Sequence, residues 1–210
     1  MHFTLADLIT DITQNGAESG ADLLELEITE TDNGVKGSPE LRFVVRDNGK
    51  GMSPEGLKQA MDPFVTDGIK HPNRKVGLGI PFLIQTAEQS GGGWDIKSQK
   101  VGLEGFLGEG GHGTTVTAWF DTSNVDTPPV GDIPGMFRTI ILFEGPDEVH
   151  ISRSRSSAYR TGGAGGKPVG SLAYEVRKSE LIEALGDLED TQSLILLDQY
   201  LRSMEEIEEE

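Results

Sequence analysis

Cysteine is absent from the 210 residues, which excludes disulfides, iron–sulfur ligation and thiolate chemistry. Histidine is scarce: four residues, scattered at positions 2, 71, 112 and 150, argue against a zinc centre. Basic residues are outnumbered, with 18 Lys and Arg against 35 Asp and Glu and a formal charge of −17. Such a surface repels polyanions, so no nucleic-acid partner and no docking on anionic lipid are expected. No apolar run approaches the roughly 18 residues of a membrane span. The opening Met1-His2-Phe3-Thr4-Leu5-Ala6-Asp7 lacks the basic flank and long apolar stretch of a secretory signal. The expectation is a cytoplasmic protein of one domain, or of a domain with a smaller appendage.

Glycine, by contrast, is plentiful. Its 28 residues cluster around 48–51, 77–79, 91–93, 102–113 and 162–170 without an internal repeat. Between the clusters, periodicity predicts the elements. Leu5, Leu8, Ile9, Ile12 and Ala17 keep helical spacing up to a stop at Gly20. Leu24, Leu26 and Ile28 alternate with polar residues as a half-buried strand, and Leu41–Val45 form a second after the Asp32-Asn33-Gly34 turn. Ser53-Pro54-Glu55 starts a helix, residues 62–77 read as a mobile loop, and Leu78, Ile80, Phe82, Leu83, Ile84 and Ala87 suggest a buried helix ending at Gly91-Gly92-Gly93. Strands near 94–99, 101–107 and 114–120 follow, giving a mixed α/β fold with a largely antiparallel sheet covered on one face. After Asp126-Thr127-Pro128-Pro129, helical spacing returns at Ile133, Met136, Phe137, Ile140 and Ile141. A hairpin (Val149 and Ile151, then Leu172, Tyr174 and Val176) and helices at about 179–188 and 191–207 close the chain.

Four segments carry candidate chemistry. Arg46-Asp47-Asn48-Gly49-Lys50-Gly51-Met52 follows a strand. Asp-Asn-Gly alone is turn chemistry, but Gly51 exceeds what a turn needs and the next element is helical. A carboxylate at a strand end, beside backbone that admits a planar ligand, suits the exocyclic amine of an aminopurine. A ligand lacking that amine leaves the acceptor unpaired. Lys75-Val76-Gly77-Leu78-Gly79-Ile80 joins the mobile loop to a helix, where free amides and the dipole favour phosphate. Gly111-His112-Gly113-Thr114 enters a strand and alone reads as a turn or bulge. Asp11 and Asn15, one helical turn apart, share a face. Polar helix residues are usually a wet side, yet an amide oxygen beside a carboxylate also suits magnesium carried with phosphates. The carboxylate is then placed for general-base work on a water.

In this order and spacing the four segments resemble those of the Bergerat-fold (GHKL) ATPases: type II topoisomerases, heat-shock chaperone ATPases, histidine kinases and mismatch-repair ATPases. The resemblance covers roughly residues 4–120. Leu8 to Ala17 is similar to the family's asparagine box, which implies that Asn15 binds Mg2+ and that Asp11 holds the catalytic position. Asp47-Asn48-Gly49-Lys50-Gly51-Met52 resembles the first glycine box, with Asp47 on adenine and Gly49, Gly51 and Met52 lining it. Asp62-Pro63-Phe64-Val65-Thr66 resembles the run that opens a histidine-kinase ATP lid, and Gly77-Leu78-Gly79 and Gly113-Thr114 fall in the second and third boxes. The Lys that often follows the lid-opening run is Gly68 here, leaving Lys70, Arg74 or Lys75 for phosphate. Pro81 and Val116 also depart from the pattern, and Asp11 is one methylene shorter than the Glu of the family's best hydrolases.

The resemblance implies a two-layer α/β sandwich binding ATP and Mg2+. The expected division is an ATP-binding domain at 1–121, a linker at 122–131 and a helix-hairpin-helix extension at 132–210. The reading is a stand-alone nucleotide-gated regulatory protein or weak ATPase, whose protein partner docks on the extension or the lid. The alternatives are a protein kinase, of histidine-kinase type or like anti-sigma serine kinases, and a nucleotide-free partner-binding module. None of the four histidines precedes an acidic residue, which disfavours self-phosphorylation on histidine. Gly166-Lys167 is not a P-loop, because Thr161 and Pro168 stand where Gly and Ser or Thr belong. Arg153, Arg155 and Arg160 form a basic stripe, read as the solvated face of a strand.

Overall fold

The computed structural model describes residues 4–34, 37–63, 78–103, 111–156 and 171–206. Helix α1 (Leu5–Ala17) opens on a capping box, in which the Thr4 hydroxyl accepts from the Asp7 amide and the Asp7 carboxylate accepts from the Thr4 amide. Leu5, Leu8, Ile9 and Ile12 are all buried, as their spacing predicts. Each contributes roughly 1.5–3 kcal/mol of apolar burial. Strands β1 (Leu23–Thr31) and β2 (Glu40–Asp47) follow, then helices α2 (Pro54–Met61) and α3 (Gly79–Gln89), and strands β3 (Gly93–Gln99) and β4 (Gly113–Asp121). The remainder is α4 (Ile133–Ile141), β5 (Glu148–Ser156), β6 (Leu172–Arg177), α5 (Lys178–Leu185) and α6 (Thr191–Glu205).

The strands form one sheet in the order β3-β4-β2-β1-β5-β6, antiparallel throughout except for the β1–β5 pair. Alternation gives it one apolar face. Leu24, Leu26 and Ile28, Leu41, Phe43 and Val45, Val116, Ala118 and Phe120, and Val149 and Ile151 are buried under the helices. Glu27, Arg42, Arg46, Asp95 and Lys97 stand exposed on the other face. The expected two-layer α/β sandwich with a mixed, largely antiparallel sheet is therefore present.

Two local readings change. Residues 101–103 of the strand expected at 101–107 form a turn instead, with the Leu103 amide on the Lys100 carbonyl at 3.1 Å and Gly102 at φ +79°; residues 104–110 lie outside the described residues. Helix α3 buries only Leu83 and Ala87, while Phe82 is partly exposed.

The elements beyond β4 continue the same sheet and core. β5 pairs with β1 in parallel from Leu23↔Glu148 to Thr31↔Ser156. The Leu5 and Ala6 amides, which have no partner within α1, donate to the Pro129 and Val130 carbonyls at 2.9 Å each. A chain ending at Asp121 would leave the outer edge of β1 unpaired. It is expected to lose the cooperative unfolding transition that the full chain shows by circular dichroism.

Arg153 departs from the solvated-stripe expectation, and Arg160 lies outside the described residues. Arg153 stands two residues after Ile151, so the alternation that buries Val149 and Ile151 buries it too, and it is 1 % exposed. Its Nε donates to Glu205 at 3.1 Å, one terminal nitrogen donates to Glu30 and the other to the Ser154 carbonyl at 2.9 Å. The Tyr174 hydroxyl donates to the same Glu205 oxygen at 2.6 Å. Burial, together with the Glu205 carboxylate, holds the Tyr174 phenol far above its ordinary titration range. This knot ties α6 to β1, β5 and β6. Arg153→Ala would strand both carboxylates and is expected to lower stability by about 3–5 kcal/mol in urea denaturation.

Candidate nucleotide-binding cleft

The buried series Leu41, Phe43, Val45 continues to Asp47, so alternation turns this carboxylate to the helix-covered face at the end of β2. Register sets Asp47 opposite Thr114, and Thr114 opposite Ser98. The three side chains share that face across β2, β4 and β3. Ser98 Oγ shares a 2.8 Å hydrogen bond with Thr114 Oγ1, and accepts from the Met52 amide at 2.8 Å. This fixes Met52 beside the strand ends.

Asp47 is half-buried. Its Oδ1 accepts from the Ser19 hydroxyl at 3.0 Å and the Gly49 amide at 2.9 Å. Burial pushes the carboxyl above the ordinary Asp value, against the lowering effect of these donors, the Thr114 amide and the His112 imidazole. A Cβ placed on Gly16 would stand 3.6 Å from Asp47 Oδ2 and 2.8 Å from Leu24 Cδ1. The tight contact is the one with Leu24, so a residue without a side chain lets α1 lie close against β1 beside Asp47. Asn48 has a different task, since its Oδ1 accepts from the Asp22 and Leu23 amides.

Two glycines permit the loops to interlock. Gly51 has φ +58°, and a Cβ there would meet the Gln99 carbonyl at 1.9 Å; Gly113 has φ +122°, and its Cβ would meet the Asp47 carbonyl at 2.0 Å. His112 adds a tie: its Nδ1 lies 2.7 Å from the Gly49 carbonyl oxygen, so Nδ1–H is the donor.

At the other end of the cleft, α1 meets the start of α3. A Cβ on Gly79 would lie 3.4 Å from Asn15 Nδ2 and 3.9 Å from Asp11 Oδ2. Leu78 is the N-cap of α3 and offers no side-chain hydrogen bond. Among the described residues, its first-turn amides at Gly79 and Ile80 therefore meet no capping side chain, and Pro81 has no amide to offer.

The structure thus brings Asp11, Asn15, Leu78 and Gly79 together at one end, and Asp47, Gly49, Gly51, Met52, Gly113 and Thr114 at the other, with Gly16 between them. Thr66, Lys75 and Gly77, with Lys70 and Arg74, lie outside the described residues. Sequence reasoning missed Ser19, Ser98 and the role of His112. Ser98 was accessible through its i+2 spacing from the buried Ile96, whereas nothing local marked Ser19.

Among the described residues, no group of three or more His, Asp or Glu could hold a metal. One amide oxygen beside one carboxylate fits magnesium that arrives with phosphates and keeps several waters, rather than an ion caged by protein.

Residues 3–124 match the family of histidine kinase-, DNA gyrase B-, and HSP90-like ATPases. The chain belongs to this family. The matched stretch of this family member runs from α1 through β4, so α4, β5, β6, α5 and α6 lie beyond it. Among solved structures, the chain is similar to the crystal structure of the N-terminal domain of a DNA repair protein, at 12% identity and a TM-score of 0.49. That similarity covers 91% of this chain and 58% of that one, so the chain spans little more than half of the other's length. No curated protein matches the chain. Among the described residues, no helix is long and apolar enough to cross a membrane.

The raised Asp47 carboxyl has a consequence for stability. The folded chain holds this proton more tightly than the unfolded chain does. The group's contribution is therefore intact below the ordinary value of 3.8 and is lost as pH rises through the folded value. Asp47→Asn removes that loss. Its stability relative to the parent is expected to increase as pH rises above the ordinary value of 3.8, in paired urea denaturations.

Proposed function

We propose that this member of the ATPase family binds ATP with magnesium in the cleft between α1, α3 and the β2–β4 strand ends. It acts there as a nucleotide-gated regulatory protein or weak ATPase. The observation that supports this reading most directly is the convergence of the Asp47 carboxylate, the Asn15 amide and the uncapped start of α3 on one cleft. Asp47 Oδ2 accepts the adenine 6-amine while Oδ1 stays engaged by Ser19 and Gly49. The amides at the start of α3 would hold the phosphate tail, and the Asn15 amide oxygen would serve as the protein's ligand to the metal. Asp11 orients a water or an acceptor hydroxyl through its carboxylate. Magnesium, when bound with the phosphates, supplies positive charge that a chain of net charge −17 otherwise lacks. A protein partner engaged through the elements beyond β4 would read the nucleotide state.

Calorimetry with ATP and magnesium is the first test: Asp47→Asn is expected to lose binding with the fold retained, and unchanged affinity overturns the reading. Incubation with γ-labelled ATP and magnesium then separates the outcomes. Released phosphate identifies a weak ATPase, label retained in unchanged, bound nucleotide identifies a gated binder, and label on an added protein instead identifies a kinase.

A further inference from the structure

A carboxylate that distinguishes a 6-amine from a 6-carbonyl must present one oxygen in a fixed direction, because a freely turning group offers no preference in geometry. In this chain Oδ1 of Asp47 is held by two donors, and only one of them is a side chain. The Gly49 amide, 2.9 Å away, belongs to the backbone and is set by the loop after β2. The Ser19 hydroxyl, 3.0 Å away, comes from the segment just after α1. Its backbone is anchored on both sides: the Ser19 amide donates to Gly16, and the Ser19 carbonyl accepts from the Lys50 amide at 3.2 Å. The space for the hydroxyl is specific as well, since a Cβ on Gly49 would fall 1.7 Å from Ser19 Oγ.

An ionised carboxylate only accepts, so the Ser19 proton points at Oδ1, and neither Ser19 nor Gly49 engages Oδ2. We infer that Ser19 is a specificity-determining positioning residue, which locks the Asp47 carboxylate so that Oδ2 selects purines carrying a 6-amine. The inference rests on the adenine-binding reading of the cleft. It also gives the five residues Asn15 to Ser19 two tasks, because Asn15 faces the phosphate end and Ser19 sets the base end.

The test compares ATP with inosine triphosphate, which carries a carbonyl in place of the 6-amine, by calorimetry in magnesium on the full chain. Ser19→Ala is expected to weaken ATP about tenfold, as the loss of a donor to a charged acceptor does. Inosine triphosphate should change by less than about twofold. Ser19→Thr, which keeps the hydroxyl, should restore the preference for ATP. An unchanged ratio in Ser19→Ala, equal weakening of both nucleotides, or no restoration by Thr overturns the inference. Asp47→Asn is measured beside them. If Asp47→Asn keeps the parental preference for ATP, the adenine reading itself falls. If it loses that preference while Ser19→Ala keeps it, only the role of Ser19 falls.

Discussion

A carboxylate at the end of an apolar strand series is costly to place, and the cleft is organised around that cost. Asp47 occupies the position that alternation would give to another Val or Phe, and burial raises its carboxyl. Among the described residues, no Lys or Arg offsets it. Its partners are a hydroxyl, backbone amides and an imidazole, which hold the group in place without neutralising it. Under the proposed function this acceptor is the recognition element for a ligand that carries a matching donor. The small residues around it permit close packing: Gly16 lets α1 lie against Leu24, Gly49 makes room for Ser19, and Gly113 lets the third loop lie against the strand end.

The opposite end of β1 shows the contrasting solution. Arg153 is equally a charged group set in an apolar series, but Glu30, Glu205 and the Ser154 carbonyl take its donors. Each of its three nitrogens is engaged in this way, and the side chain is buried. It fixes where α6 sits instead, and α6 in turn packs on α4 and α4 on α1. The two buried charges stand at opposite ends of β1, one at the proposed ligand site and one in an architectural knot. The helix carrying Asp11 and Asn15 is supported from the side by elements beyond the family match.

Legibility followed the range of the interactions. Local periodicity showed α1, β1, β2, α4 and the β5–β6 hairpin, because burying one face imposes a spacing of 3.6 or 2 on the chain itself. The glycine at 51 was conspicuous for a similar reason: a residue in excess of what a turn requires signals a close approach, here to the Gln99 carbonyl. The turn at 100–103 was misread because apolar Val101 and Leu103 carry strand-like alternation without a sheet partner for it. Arg153 was misread because composition suggests solvent for an arginine, whereas its place in the alternation assigns it to the core.

Taken by itself, the sequence determined most of the helices and strands, that Asp47 ends a strand and Asn15 shares a helix face with Asp11, and where the backbone needs glycine. These are properties of neighbouring residues, and local sterics and amphipathicity suffice to decide them. Only the tertiary structure decided that Ser19 reaches Asp47 across 28 positions, that Arg153 meets Glu30 across 123, and that β5 lies parallel along β1. Such contacts depend on how the sheet orders its strands. That order is fixed by the joint burial of many distant side chains, for which no short stretch of chain carries a signal.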